Sequence, residues 1–134
     1  MARAARILVV DDNDTLRTLI AQALESEGYV AIAASSGEEA IEVAHFSPPD
    51  LCLVDQVMPG MTGSELIRAL RASEDERLRV VPSIGLSAYE AARHELLAAG
   101  AVRALGKPVT YGALLELVRT TLGEAAADAE LPAG

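Results

Sequence analysis

Five polar residues close out short aliphatic runs: Asp11 and Asp12 after Ile7 to Val10, Asp55 after Leu51 to Val54, Ser87 after Val80 to Leu86, and Lys107 after Ala101 to Leu105 and Gly106. In open parallel α/β sheets, sites form beyond the carboxyl ends of the strands. If these runs are strands of one such sheet, three carboxylates, a hydroxyl and an ammonium gather at one edge from four separate segments. Three carboxylates about 5 Å apart repel by roughly 3 kcal/mol per pair at an effective dielectric near 20, which one lysine cannot offset. A divalent cation can. Oxygen-only ligation, with no Cys or His, selects a hard ion, and two or three carboxylates plus water suit Mg²⁺ better than a dedicated calcium cage. Positions remain open for phosphate oxygens, with Lys107 and Ser87 supplying a charge and a donor. The pattern is suited to placing a phosphoryl group on, or beside, a carboxylate.

Composition supports this and removes other classes. The chain has 134 residues, 51% of them apolar, with 20 acidic and 11 basic side chains and a formal charge of -9. Ten of the basic residues are arginine, so the one lysine, Lys107, marks a place that needs a compact ammonium rather than a planar fork. With no basic stripe, direct binding to nucleic acid or to an anionic membrane surface is not expected. Asp11 cuts off the first apolar run, which leaves no signal peptide and no transmembrane span, and a cytoplasmic protein is expected. Cys52 stands alone in Leu51-Cys52-Leu53-Val54 and reads as core, while His45 and His94 are too far apart for a zinc spacing.

The elements that must position the site alternate five times. The strands are Ile7 to Val10, Tyr29 to Ala33, Leu51 to Val54 (wholly apolar, hence central), Val80 to Leu86 and Ala101 to Leu105. Pro82 and Gly85 weaken the fourth and suggest a place away from full ladder pairing. Helices are expected over Thr15 to Glu27, capped by Asn13 or Asp14, then after Ser36 with capping-box spacing to Glu39, then over Ser64 to Ala72, Ala88 to Ala99 and Tyr111 to Leu122. Leu16, Leu19 and Ile20 on the first helix read as mostly core. Residues 73 to 79 read as a solvated connection, and 123 to 134 as an acidic, small-residue flexible tail beyond a single domain of 1 to 122. Five β-α units imply a doubly wound parallel sheet covered by helices on both faces.

Val9-Val10-Asp11-Asp12-Asn13, Leu53-Val54-Asp55 with Met58-Pro59-Gly60-Met61-Thr62-Gly63, Leu86-Ser87-Ala88 and Lys107-Pro108, in that order and spacing, resemble the receiver domain of bacterial response regulators, the CheY-like family. The resemblance runs from about residue 5 to 122. It implies the flavodoxin-like (βα)5 fold and a two-component phosphorelay in which Asp55 accepts a phosphoryl group from a phosphohistidine of a sensor kinase or histidine phosphotransfer protein. It further implies Mg²⁺ held by Asp12, Asp55 and the main-chain carbonyl of Val57, with Asp11 acting through water. Lys107 pairs with the phosphoryl group, Ser87 closes on it, and the Lys107-Pro108 bond is cis. The role is regulatory rather than enzymatic: the domain promotes at most its own phosphorylation and dephosphorylation, and phosphorylation alters binding to a downstream protein. Since no DNA-binding or catalytic segment follows Leu122, a stand-alone receiver is expected.

The departures carry information too. The position three residues before the lysine, where receivers usually hold Tyr or Phe, is Ala104, so the usual aromatic readout is absent. A different readout, a phosphate relay or sink, or a receiver piece of a hybrid kinase is therefore kept in view. Val57 and Tyr89 flank the expected path of a hydrolytic water, and their bulk is expected to slow loss of phosphate. Among other classes, Asp12-Asn13-Asp14-Thr15-Leu16 is a near miss to the D-x-D-x-[TV] loop of haloacid-dehalogenase-type phosphatases. That enzyme needs a further acidic pair beyond its lysine, where this chain has only Glu116 and the tail acids.

Overall fold

The computed structural model describes residues 3–130. Its elements in chain order are β1 (Arg6–Val10), α1 (Asp14–Ser26), β2 (Val30–Ala34), α2 (Gly37–Phe46), β3 (Leu51–Asp55), α3 (Gly63–Arg71), α4 (Glu76–Arg79), β4 (Ser83–Ser87), α5 (Glu90–Ala99), β5 (Arg103–Gly106) and α6 (Tyr111–Glu130). All strand pairs are parallel, in the order β2-β1-β3-β4-β5. The fold is the expected five-stranded doubly wound sheet, with the wholly buried β3 at its centre.

Successive strand residues face opposite sides, so each aliphatic run feeds two cores. Leu8, Val10, Cys52 and Val54 pack with Ala40, Ala44, Leu66 and Leu70 beneath α2 and α3. Ile7, Val9, Leu51, Leu53, Ile84 and Leu86 pack with Ile20 and Leu24 of α1 and with Leu114 and Val118 of α6 on the other face. A two-sided sheet of this kind needs apolar residues at every strand position, which is why the strands read as runs rather than alternations.

The structure corrects several expectations. Strand β4 lies between β3 and β5 and is buried throughout, with Gly85 paired to Val54 on one side and Ala104 on the other. Pro82 does not interrupt it, because Pro82 precedes the strand and offers its carbonyl to the Cys52 amide at 3.0 Å. Gly85 is there for packing: a Cβ at that position would lie 2.6 Å from Leu96 Cδ1 of α5. The charged connection contains the one-turn helix α4, capped by Asp75 and pinned by buried Leu78. Leu19 faces outward rather than into the core. Helix α6 runs eight residues past Leu122 over an alanine-rich stretch of high helix propensity, with Glu124 bonded to Arg103 at 2.6 Å; residues 131–134 of the expected tail lie outside the described residues.

The capping pattern also differs in detail. Ser36 caps α2 through the Glu39 amide, but the Glu39 carboxylate turns to the amide and hydroxyl of Ser35 instead of closing the box. The complete reciprocal box is at Thr62 and Glu65, at the start of α3.

Candidate functional site

Strand order reverses between β1 and β3, since the chain winds one way to β2 and the other way to β4 and β5. The carboxyl ends of β1 and β3 therefore open a crevice, and the acidic residues stand in it. Asp11, Asp12 and Asp55 each bring a carboxylate oxygen to within 4.8 Å of the others, with Asp11 and Asp55 buried and Asp12 exposed. The loop after β1 holds Asp11 in place: its Oδ1 accepts from the Asn13 amide at 2.9 Å, and its carbonyl accepts from Arg17 Nη1 at 2.7 Å. Asn13 in turn caps α1 by accepting from the Leu16 amide, so the helix start fixes the acidic loop.

Lys107 enters from the end of β5, followed by a cis bond to Pro108. Its Nζ lies 2.7 Å from Asp55 Oδ1 and 3.3 Å from Asp11 Oδ2. Burial, with the charges of Asp11 and Asp12 adding to it, raises the Asp55 carboxyl above its ordinary range even though Lys107 pulls the other way. Burial works to lower the Lys107 ammonium, but hydrogen bonding and charge from Asp55, then Asp11, outweigh it and raise it. One ammonium among three carboxylates leaves the pocket short of positive charge. The all-oxygen donor set, with Asp12 open to solvent, fits a hard divalent cation such as Mg²⁺.

A model of the response regulator receiver domain matches residues 7–119. The chain belongs to the response regulator receiver family. The receiver is 31% identical over 121 residues to the polar-differentiation response regulator DivK of Brucella ovis, covering 89% of this chain and 97% of that protein. It superposes on a response regulator receiver protein from Pseudomonas putida with a TM-score of 0.81 at 33% identity, covering 90% of this chain and 99% of that one. Chemotaxis response regulator CheY4 of Vibrio cholerae gives a TM-score of 0.80 at 29% identity over 87% of this chain and 98% of that one. This membership makes the chain a regulatory component of a two-component system, and among the described residues no helix is long and apolar enough to cross a membrane.

Around the acidic crevice, the receiver places the remaining predicted residues as follows. Ser87 ends β4 and is buried; its Oγ accepts from the Tyr89 amide at 3.2 Å, and its carbonyl accepts from the Lys107 amide and from Arg93 Nη1, both at 3.1 Å. Tyr89 is the N-cap residue of α5 and is 67% exposed. Val57, two residues past Asp55, is 61% exposed. Ala104 is half-buried in β5, opposite Gly85.

Two groups of site residues escape sequence reasoning. Gln56 is buried directly behind Asp55; its Oε1 accepts from the Ser64 amide at 2.7 Å and hydroxyl at 2.9 Å, and its Nε2 donates to Glu95 at 2.8 Å. An amide wedged between an apolar strand and a turn was the available signal. Arg17 and Arg93, each bonded to a main-chain carbonyl of a site residue, have no such signal. The glycine of the Met-Thr-Gly turn has a steric reason: a Cβ on Gly63 would overlap the Asp55 carbonyl oxygen.

Proposed function

We propose that Asp55 is the phosphoacceptor of this receiver, taking a phosphoryl group from a phosphohistidine on a sensor kinase or histidine phosphotransfer protein. The observation that carries the reading is the placing of Lys107 Nζ 2.7 Å from Asp55 Oδ1 inside a pocket of three converging carboxylates. An Asp55 oxygen attacks phosphorus in line, the bond from phosphorus to the donor imidazole breaks, and the leaving nitrogen takes up a proton. Lys107 stays beside the oxygens of the transferred group as its fixed counter-charge, and the Ser87 hydroxyl turns from the Tyr89 amide to donate to one of them. Asp12, Asp55 and the Val57 carbonyl would hold Mg²⁺, with Asp11 reaching it through water. When bound, the ion supplies Lewis-acid neutralisation of charge on the phosphoryl oxygens.

The acyl phosphate is lost when water attacks phosphorus and restores the Asp55 carboxylate. The exposed side chains of Val57 and Tyr89 flank that approach and slow it. The phosphorylated domain then alters binding to a protein partner. The methyl group of Ala104 cannot report Ser87 as a ring would, which also favours a second role as a phosphate relay that passes the group on.

Phosphoramidate, a small donor with the same phosphorus-nitrogen bond, tests the assignment. Incorporation of one phosphate that requires Mg²⁺ and vanishes in Asp55→Ala is the expected result. Equal incorporation into Asp55→Ala would refute it.

A further inference from the structure

A cavity of about 800 Å³ lies at the amino ends of the strands, across the sheet from the acidic crevice at their carboxyl ends. Arg6 at the start of β1, Asp50 before β3, Pro82 before β4 and Val102 before β5 all line it. Four arginines, Arg3, Arg6, Arg71 and Arg77, stand on its wall. Two of them carry their own carboxylate: both Nη atoms of Arg3 donate to Asp50 at 3.0 Å, and Arg77 donates to Asp75 at 3.0 and 2.8 Å. Glu124, the other acid on the wall, is taken by Arg103 at 2.6 Å. Arg6 and Arg71 meet only neutral acceptors, Ser47 Oγ at 3.2 Å and the Gly100 carbonyl at 2.6 Å, and neither is paired with a carboxylate among the described side chains. A second, independent observation is Thr121 of α6, which lines the same cavity and is 2% exposed. A helical threonine can bond back to the carbonyl four residues earlier, yet the Thr121 Oγ1 is the one buried side-chain polar atom without a partner among the described residues. A buried hydroxyl left in this way calls for a group that the protein itself does not supply.

We propose that this cavity binds a nucleoside phosphate, with Arg6, Arg71 and Thr121 as its polar contacts. The volume falls in the ordinary range of small-molecule sites, roughly 300–1,000 Å³, and exceeds what one inorganic anion fills. The two guanidiniums without a counter-charge call for an anion. A guanidinium pairs with phosphate oxygens through two parallel bonds and also stacks on a flat ring, so two of them suit one molecule that carries both. Val80, Val102, Pro48 and Pro82 give the rest of the wall an apolar surface for the face of a base. A sugar phosphate would need more donors and acceptors than this wall offers for its hydroxyls. A polyanion such as nucleic acid would be repelled by a chain of formal charge -9, whereas a single phosphate group meets the local excess of positive charge. The inference does not depend on the phosphoacceptor reading of Asp55, which concerns the opposite end of the sheet.

The test is calorimetric titration of the full chain with each of the four ribonucleoside 5′-monophosphates, in chelator so that no metal in the acidic crevice can hold the phosphate. Inorganic phosphate and the free nucleosides are titrated in parallel. At least one nucleotide is expected to bind at a single site with a dissociation constant of about 10–100 µM, and inorganic phosphate and the matching nucleoside at least about tenfold more weakly. Arg6→Gln and Arg71→Gln each weaken nucleotide binding by at least about tenfold, and Thr121→Val, which keeps the side chain's shape, by about threefold or more. Arg71→Gln retains a donor for the Gly100 carbonyl, and thermal unfolding of each variant without ligand shows that it is folded. Arg119→Gln removes an exposed charge from α6 away from the cavity and binds as the parent does. No nucleotide binding by the parent below about 1 mM would overturn the inference. So would inorganic phosphate binding as tightly as the nucleotide, or parent affinity in the folded Arg71→Gln and Thr121→Val variants.

Discussion

Replacing Lys107 with methionine removes the ammonium from the pocket while keeping most of the side chain's volume. Lys107 Nζ lies 2.7 Å from Asp55 Oδ1 and 3.3 Å from Asp11 Oδ2. At an effective dielectric near 20 these separations correspond to gross attractions of about 6 and about 5 kcal/mol. Lysine's own desolvation and the solvent that reaches its partly exposed side chain cancel much of this, and breaking one side of a buried pair typically costs about 3–5 kcal/mol. Asp55 limits the loss by binding a proton. Its folded carboxyl is already raised, chiefly by burial, and without Lys107 it rises further. A carboxyl raised on folding binds more protons in the native state than in the unfolded one, so its unfavourable contribution is absent at low pH. That contribution grows as pH climbs from the unfolded value near 4 up to the folded value and is constant above it. Lys107, raised on folding, keeps its stabilising role throughout this range, since that is lost only at alkaline pH above the ordinary lysine value. Urea unfolding without divalent cation is expected to show Lys107→Met less stable than the parent by about 2–4 kcal/mol at pH 8, and by less than about half of that at pH 5. An equal loss at both pH values, or none at pH 8, would refute the electrostatic account of the pocket.

The same reasoning predicts that Asp55→Asn, which removes the raised carboxylate, is more stable than the parent at pH 8 without divalent cation. It also predicts that Mg²⁺ at about 100 times its dissociation constant, which stabilises the parent by about 2.7 kcal/mol, does so much less in this variant; thermal unfolding with and without the ion measures both. Gly63→Ala forces the Asp55 main chain to move and is expected to lower stability by about 1–3 kcal/mol and to slow phosphate uptake, as read by urea unfolding and phosphoramidate kinetics. Burial pushes the Cys52 thiol up to about 12, a hydrogen bond with Ser83 opposing it, so a disulfide reagent at pH 8 should label Cys52 only as fast as the domain opens.

The residues of the acidic crevice were legible because the fold puts its chemistry where apolar runs stop. Asp11, Asp12, Asp55 and Lys107 each interrupt or follow such a run, and a parallel sheet brings those ends together whatever the helices do. The centre of the sheet was equally readable in Leu51-Cys52-Leu53-Val54, since only a strand buried on both faces has no polar position. Strand β4 was misplaced because Gly85 looks like a weak strand residue until Leu96, eleven positions on, is seen to need its missing side chain. Helix α4 escaped because one apolar residue, Leu78, among charges gives no period. The link from Gln56 to Glu95 spans 39 positions and joins two ordinary polar residues, so only the packing of α5 beside α3 brings it out. Ala104 shows the complementary case: the sequence marks the absent ring plainly, while the bond from Arg93 to the Ser87 carbonyl emerges only in three dimensions.

The phosphoacceptor claim is tested most directly by locating the modified residue. After brief treatment with phosphoramidate and Mg²⁺, borohydride reduction converts a phosphorylated aspartate to homoserine, and tandem mass spectrometry of the digested protein identifies where. Conversion at Asp55 alone, with Asp11 and Asp12 unchanged, is the predicted result; conversion at Asp11 or Asp12, or at no aspartate, would contradict it.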